Sequence, residues 1–216
     1  PWSHGGWRRT TGEFLGDVNF GSKTSEFYNN EIIYPFFKHQ LKGEGEMKLP
    51  EAYIFETGTN EWRTFETWPP ENVKFKNLYL KSQQGLPYIP AMENEYGMDI
   101  FMSDPEYPVH FSQIESTGMP KPYMTEDQAF NLDNSGVVYY QTPPLKEDLT
   151  LAGGLEANLL VTTNQGDADW IVKLIDVYPK DTLIYPHQPE KNMANYHQMV
   201  RSEVLRGRFR NSYDNP

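Results

Sequence analysis

The chain has 216 residues, no cysteine and a formal net charge of −11. The lack of thiols excludes disulfides, zinc–thiolate sites and cysteine nucleophiles. The acidity argues against nucleic acid, whose phosphates need Lys and Arg to neutralise them, and against an anionic membrane surface. No apolar run approaches the ~18 residues of a membrane span. Aromatic residues make up 14%, beside 17 prolines and 16 glycines; that mixture indicates a loop-rich β protein, long enough to bury a core.

The sequence opens on Pro1-Trp2-Ser3-His4-Gly5-Gly6-Trp7. Imidazole is the side chain best suited to moving a proton near neutral pH. Gly5 and Gly6 permit a tight turn and close approach of a ligand, and Trp2 and Trp7 are placed to shield a site from water. A histidine base needs a nucleophile in reach and an acid to hold its tautomer. No Gly-x-Ser-x-Gly elbow occurs in the chain. The order Ser, Asp or Glu, His that goes with such an elbow puts both partners upstream of Pro1. The expectation is therefore the back half of a larger enzyme, without hydrolytic activity by itself.

Ser22, Thr24 and Ser25 come next as candidate helix N-caps, with Glu26 favourable in the first turn. Tyr28, Ile32, Ile33, Phe36, Phe37 and Leu41 then recur at spacings of three and four, one apolar helical stripe. Pro35 is expected to kink or split the helix, and Gly43 and Gly45 to end it. The linker candidate is Lys42-Gly43-Glu44-Gly45-Glu46. From about residue 47 the period is two. Residues 52–57 and 62–66 form a hairpin across Gly58-Thr59-Asn60. Residues 76–81 and 137–142 are further strands. The strongest are 155–163 and 169–178, joined by the turn Asn164-Gln165-Gly166-Asp167. Both faces of 169–178 are mostly apolar, so it reads as a central strand covered on both sides. Residues 198–210 are divided between helix and strand, and the strand is favoured. Many short strands without a βαβ rhythm imply a sandwich or jelly roll.

Several features have plain structural readings. His39, His110, His187 and His197 are scattered and read as surface or core residues. Asp167 and Asp169 resemble a calcium loop only weakly and read first as turn chemistry, as does Ser103-Asp104-Pro105. Arg201, Arg206, Arg208 and Arg210 are expected to pair with carboxylates. The strand aromatics suit core packing better than a sugar platform. No metal site and no cofactor is expected.

Pro-Trp-Ser-His-Gly-Gly resembles the segment around the catalytic histidine of the cocaine esterase and X-prolyl dipeptidyl aminopeptidase family. Ile33-Tyr34-Pro35-Phe36-Phe37-Lys38-His39-Gln40-Leu41-Lys42-Gly43 looks like the last helix of that family's α/β-hydrolase domain. The run from Trp62 to Pro70 looks like the opening hairpin of its C-terminal jelly roll. Tyr139-Gln141-Thr142-Pro143-Pro144-Leu145 and Asp167-Ala168-Asp169-Trp170 follow in the family's order. So do Val172-Lys173-Leu174-Ile175-Asp176-Val177-Tyr178-Pro179 and Arg206-Gly207-Arg208-Phe209-Arg210-Asn211-Ser212, which look most like α-amino acid ester hydrolases and glutaryl 7-aminocephalosporanic acid acylases.

The resemblance implies a serine hydrolase with a Ser-His-Asp triad, of which this chain holds only His4. Residues 1–45 would be the remnant of the α/β-hydrolase domain. Residues 46–216 would be a mainly β jelly-roll (galactose-binding-like) sandwich, short of its last strands. Trp2 and Trp7 would line the substrate pocket. The implied partners are a small acyl ester, amide or peptide and the missing hydrolase and cap domains; a homo-oligomer is compatible with this reading, and the net charge of −11 disfavours nucleic acid and membrane. The resemblance also implies export to the periplasm or beyond. The rival reading is a non-catalytic carbohydrate- or protein-binding jelly roll with His4 incidental.

Overall fold

The structure, a computed structural model, describes residues 1–95, 97–118, 120–181 and 192–214. His187 lies outside the described residues. The chain divides into two compact units: Pro1–Tyr123 with Phe130–Gly153, and Met124–Ala129 with Gly154–Pro216. Among the described residues the strands form three two-stranded antiparallel sheets, with few helices, a β-rich architecture.

The first unit opens with a short helix α1 (Gly6–Arg9) and a small hairpin of β1 (Phe14–Leu15) and β2 (Val18–Asn19). One helical rod follows in three parts: α2 (Thr24–Phe27), a π-helical segment (Tyr28–Ile33) and α3 (Tyr34–Lys42). The apolar stripe is thus helical, and the break expected at Pro35 takes the form of the π segment. Proline has no N–H to donate and crowds the carbonyl four residues earlier; widening the preceding turn accommodates both. Gly43 ends α3 at φ 66°, its N–H bonded to the His39 carbonyl at 2.9 Å.

The expected capping does not occur. The N-cap position of α2 is Lys23, with no side-chain cap hydrogen bond, while Thr24 and Ser25 are buried inside the first turn. Their hydroxyls face the preceding loop, as described below.

The hairpin forms as expected from β3 (Ala52–Glu56) and β4 (Glu61–Phe65), with Phe55 opposite Trp62. Asn60 takes a positive φ of 57° in its turn, a conformation asparagine tolerates. Residues 76–81 and 137–142 depart from the strand expectation. Around them the pairing shrinks to isolated bridges, Lys81 with Gly85 and Gly85 with Gln141. Pro87, Pro143 and Pro144 flank these segments and supply no ladder donors. Asp104 forms the expected turn, accepting from the Glu106 N–H at 2.9 Å.

The second unit is built on a ribbon of β5 (Asp169–Val177) and β6 (His197–Arg206). The favoured strand reading of the C-terminal segment is correct as far as Arg206; a 3₁₀ turn (Gly207–Phe209) follows. Register shifts between Leu174 and Ile175, which pair with Arg201 and Met199; the extra Val200 is a bulge. Two expectations fail here. Residues 155–163 are not a strand, and Leu160 is fully exposed. β5 is therefore not central, for its one strand partner among the described residues is β6. Local pattern sets which side chains share a face; the ladder partner is chosen by whatever backbone packs alongside.

Asp167 and Asp169 serve turn and ion-pair roles. Asp167 accepts from the Ala168 N–H at 2.8 Å and stands 3.9 Å from Arg208, while Asp169 meets Arg206 at 3.1 Å. Arg201 pairs with Glu203 at 3.3 Å, and Arg210 donates to the Gly207 carbonyl at 2.8 Å. Lys173 donates to buried Gln128 at 2.6 Å. Partial burial lowers its pKa, an effect opposed by nearby Glu126. Met193 and Tyr196 form the unit's buried apolar centre, and the Tyr196 hydroxyl donates to the Thr125 carbonyl.

Candidate functional site around His4

His4 sits on the loop leading into α1. Gly5 adopts φ 69°, so the chain reverses directly after the histidine. His4 is exposed, with the Trp7 ring edge-on 6.4 Å away. Among the described residues, no hydrogen bond or ion pair holds the imidazole. The imidazole is open to a group from outside these residues.

The loop beneath it is held firmly. The Trp2 indole Nε1–H donates to the Thr24 hydroxyl at 2.9 Å, and that hydroxyl donates to the Gly12 carbonyl at 2.6 Å. Thr24 is 0% exposed. A Cβ on Gly12 would fall 2.4 Å from the Thr24 and Ser25 hydroxyl oxygens and 2.5 Å from the Trp2 nitrogen. Only glycine lets these groups meet. On the other side of His4, the Asn29 amide donates to the Trp7 carbonyl and to the Ser25 carbonyl, each at 2.8 Å.

Aromatic rings complete the support. Trp2 lies 4.9 Å from Tyr28, 6.3 Å from Trp7 and 6.2 Å from Trp62, measured between ring centroids. Trp62 stacks on Phe27 at 4.9 Å and meets Phe55 at 5.3 Å. The hairpin β3–β4 and the helical rod therefore form the floor under the His4 loop, and these aromatics pack as core, as the sequence suggested. Beside the loop lies a cavity of about 480 Å³ whose lining includes Pro1, Trp2, Ser3, Phe14, Leu15 and Lys121. The two tryptophans diverge: Trp2 lines this cavity, whereas Trp7 flanks the imidazole.

His39 contacts the Gly45 carbonyl through Nδ1 at 2.9 Å, and the His197 backbone N–H donates to Asp127 at 3.0 Å. Neither approaches a constellation like that at His4. Among the described residues, no group of three His, Asp or Glu side chains is arranged to hold a metal ion.

The sequence of residues 45–216 matches the profile of the X-Pro dipeptidyl-peptidase C-terminal non-catalytic domain. The chain belongs to this family. X-Pro dipeptidyl-peptidase C-terminal domains thus account for most of its length. It is 27% identical over 193 residues to the cocaine esterase of Rhodococcus sp. (strain MB1 Bresler), an alignment spanning 83% of this chain and 32% of that protein. The crystal structure of an aminopeptidase from a marine-sediment Thaumarchaeota archaeon superposes with a TM-score of 0.80 at 29% identity, covering 98% of this chain and 34% of the other. An α-amino acid ester hydrolase gives 0.77 at 28% identity, covering 95% and 34%. The chain thus spans about a third of the length of each of these hydrolytic relatives.

The sequence pointed to His4, Trp2 and Trp7, offered Thr24 only as a helix cap and gave no sign of Asn29. The missed signal was the Thr-Ser pair one turn ahead of an apolar stripe, which reads equally as a cap or as a buried tether.

Proposed function

We propose that this chain is the C-terminal part of a serine hydrolase that cleaves ester or amide bonds. In this reading His4 is the general base. As the serine oxygen attacks the acyl carbon, Nε2 or Nδ1 of His4 takes the hydroxyl proton. His4 then returns that proton to the leaving alcohol or amine as the bond to it breaks, and a water deprotonated by the same imidazole attacks the acyl-serine, releasing the acid and restoring the serine hydroxyl. The serine, the acid that orients the imidazole and a cap lie in a preceding α/β-hydrolase domain, of which residues 1–45 are the last loop and helix. Residues 46–216 are the jelly-roll domain that packs beside it. Trp2 and Trp7 border the substrate pocket.

The observation that carries this reading is the exposed His4 imidazole on an otherwise tightly tethered loop. Three further points support it. The relatives are hydrolases about three times this chain's length. The family profile begins at residue 45, where the proposed boundary falls. Tyr34, Phe37 and Leu41 are 65%, 48% and 77% exposed on α3, an apolar stripe without cover; such a face suits docking of a preceding domain.

The test is hydrolysis of an activated ester by the complete gene product. His4→Ala is expected to lower turnover by about 10⁴-fold or more, and the 216-residue chain alone is expected to show none. Full activity in His4→Ala would reject the assignment.

A second reading rests on the non-catalytic character of the matched domain family. Here residues 46–216 bind carbohydrate or protein and His4 is incidental. Specific retention on a glycan array, together with an inert His4→Ala substitution, would favour it.

A further inference from the structure

We infer that Thr24 and Asn29 are positioning residues that fix the His4 loop for proton transfer, one on each side of the imidazole; this rests on the reading of His4 as the general base. Geometry supplies the argument. A general base must reach its nucleophile within hydrogen-bond distance, and misplacement by about 1 Å costs up to about 10²-fold in rate. His4 has no hydrogen bond to hold its own ring among the described residues. Its position is therefore inherited from the backbone of residues 2–7.

The loop is anchored at two points, the Trp2 side chain and the Trp7 carbonyl, both held by the rod that begins with α2. Thr24 accepts from Trp2, two residues before His4, and donates onward to Gly12. Asn29 donates to the Trp7 carbonyl, three residues after His4, and to the Ser25 carbonyl of its own rod. The two anchors differ in exposure, for Thr24 is fully buried and Asn29 is half-buried. Buried hydrogen bonds of this kind are directional, and an unpaired partner is costly. Helix capping does not explain Thr24, because α2 has no side-chain cap bond. Packing bulk does not explain it either, since valine would fill the same space without holding Trp2 or Gly12.

The complete gene product is assayed as wild type, Thr24→Val, Thr24→Ser, Asn29→Ala and His4→Ala, with kcat and KM determined separately and folding checked by thermal melting. Thr24→Val and Asn29→Ala are expected to lower kcat about 10- to 100-fold while KM stays within about 2-fold. Thr24→Ser, which keeps the hydroxyl, restores most of the loss. If Thr24→Val fails to fold, Asn29→Ala decides, because its side chain is half-exposed and its loss leaves no cavity in the core. Parental kcat in folded Thr24→Val or Asn29→Ala, with His4→Ala inactive, overturns the positioning role alone. Parental kcat in His4→Ala overturns the underlying reading instead. A kcat loss in Thr24→Val that serine fails to restore also counts against the hydroxyl's role.

Discussion

At the scale of single residues, the chain spends polar side chains on tethers. Thr24 joins three segments with one hydroxyl, and Gly12 is the residue whose missing side chain makes room for it. Tyr140 is a second tether, donating to Asp99 at 2.9 Å. Burial, together with the hydrogen bond to and the charge of Asp99, pushes its phenol from 10.0 up to about 12. An unfolded phenol loses its proton near pH ~10, so between these values the folded chain binds more protons than the unfolded one. The contribution of Tyr140 to stability is complete below pH ~10 and falls as pH rises through the folded value. Phenolate absorbance of the native protein should include a component titrating near the top of that range, and Tyr140→Phe should remove it. Alkaline denaturation of Tyr140→Phe should lack the corresponding slope. The His4 signature was legible in sequence because tryptophans and glycines around a histidine are chemically distinctive. Thr24 was not, because a hydroxyl near a helix start reports its chemistry but not its acceptor.

Among the elements, local rules succeeded where the interaction is local. The rod of α2, the π segment and α3 follows the apolar spacing, and its end at Gly43 follows from a positive φ that most residues avoid. Nothing lies within 4 Å of a Cβ built on Gly43, so Gly43→Ala isolates the conformational cost. Urea denaturation should show a loss of about 1–2 kcal/mol; an unchanged midpoint would mean the αL cap is not retained. The hairpin β3–β4 was legible for the same reason, its strands being joined by the four residues between Glu56 and Glu61 in one turn. Residues 155–163 look as strand-like in sequence as β5, yet β5 pairs with a segment some twenty residues downstream. Alternation records only two faces, and the edge partner is a long-range choice.

At the scale of the whole molecule, each unit leaves large apolar side chains uncovered. Phe75, Ile100, Leu155 and Ile171 are all more than half exposed. Exposed apolar side chains of this size favour association with other apolar surfaces. The 216-residue chain is therefore expected to bind the dye ANS strongly and to self-associate in sedimentation velocity. An ANS-silent, monomeric 216-residue chain would show that its apolar faces need no cover.

The sequence by itself determined the β-rich character, the family, the helical rod and its glycine stop, since each depends on residue identity or on neighbours within one or two turns. Only the tertiary structure decided which strand lies beside β5, that Thr24 reaches back to Trp2 rather than capping its own helix, and that Trp62 of the hairpin supports the His4 loop. Those outcomes turn on which distant groups satisfy one another's hydrogen bonds and exclude water together, and no local pattern records that.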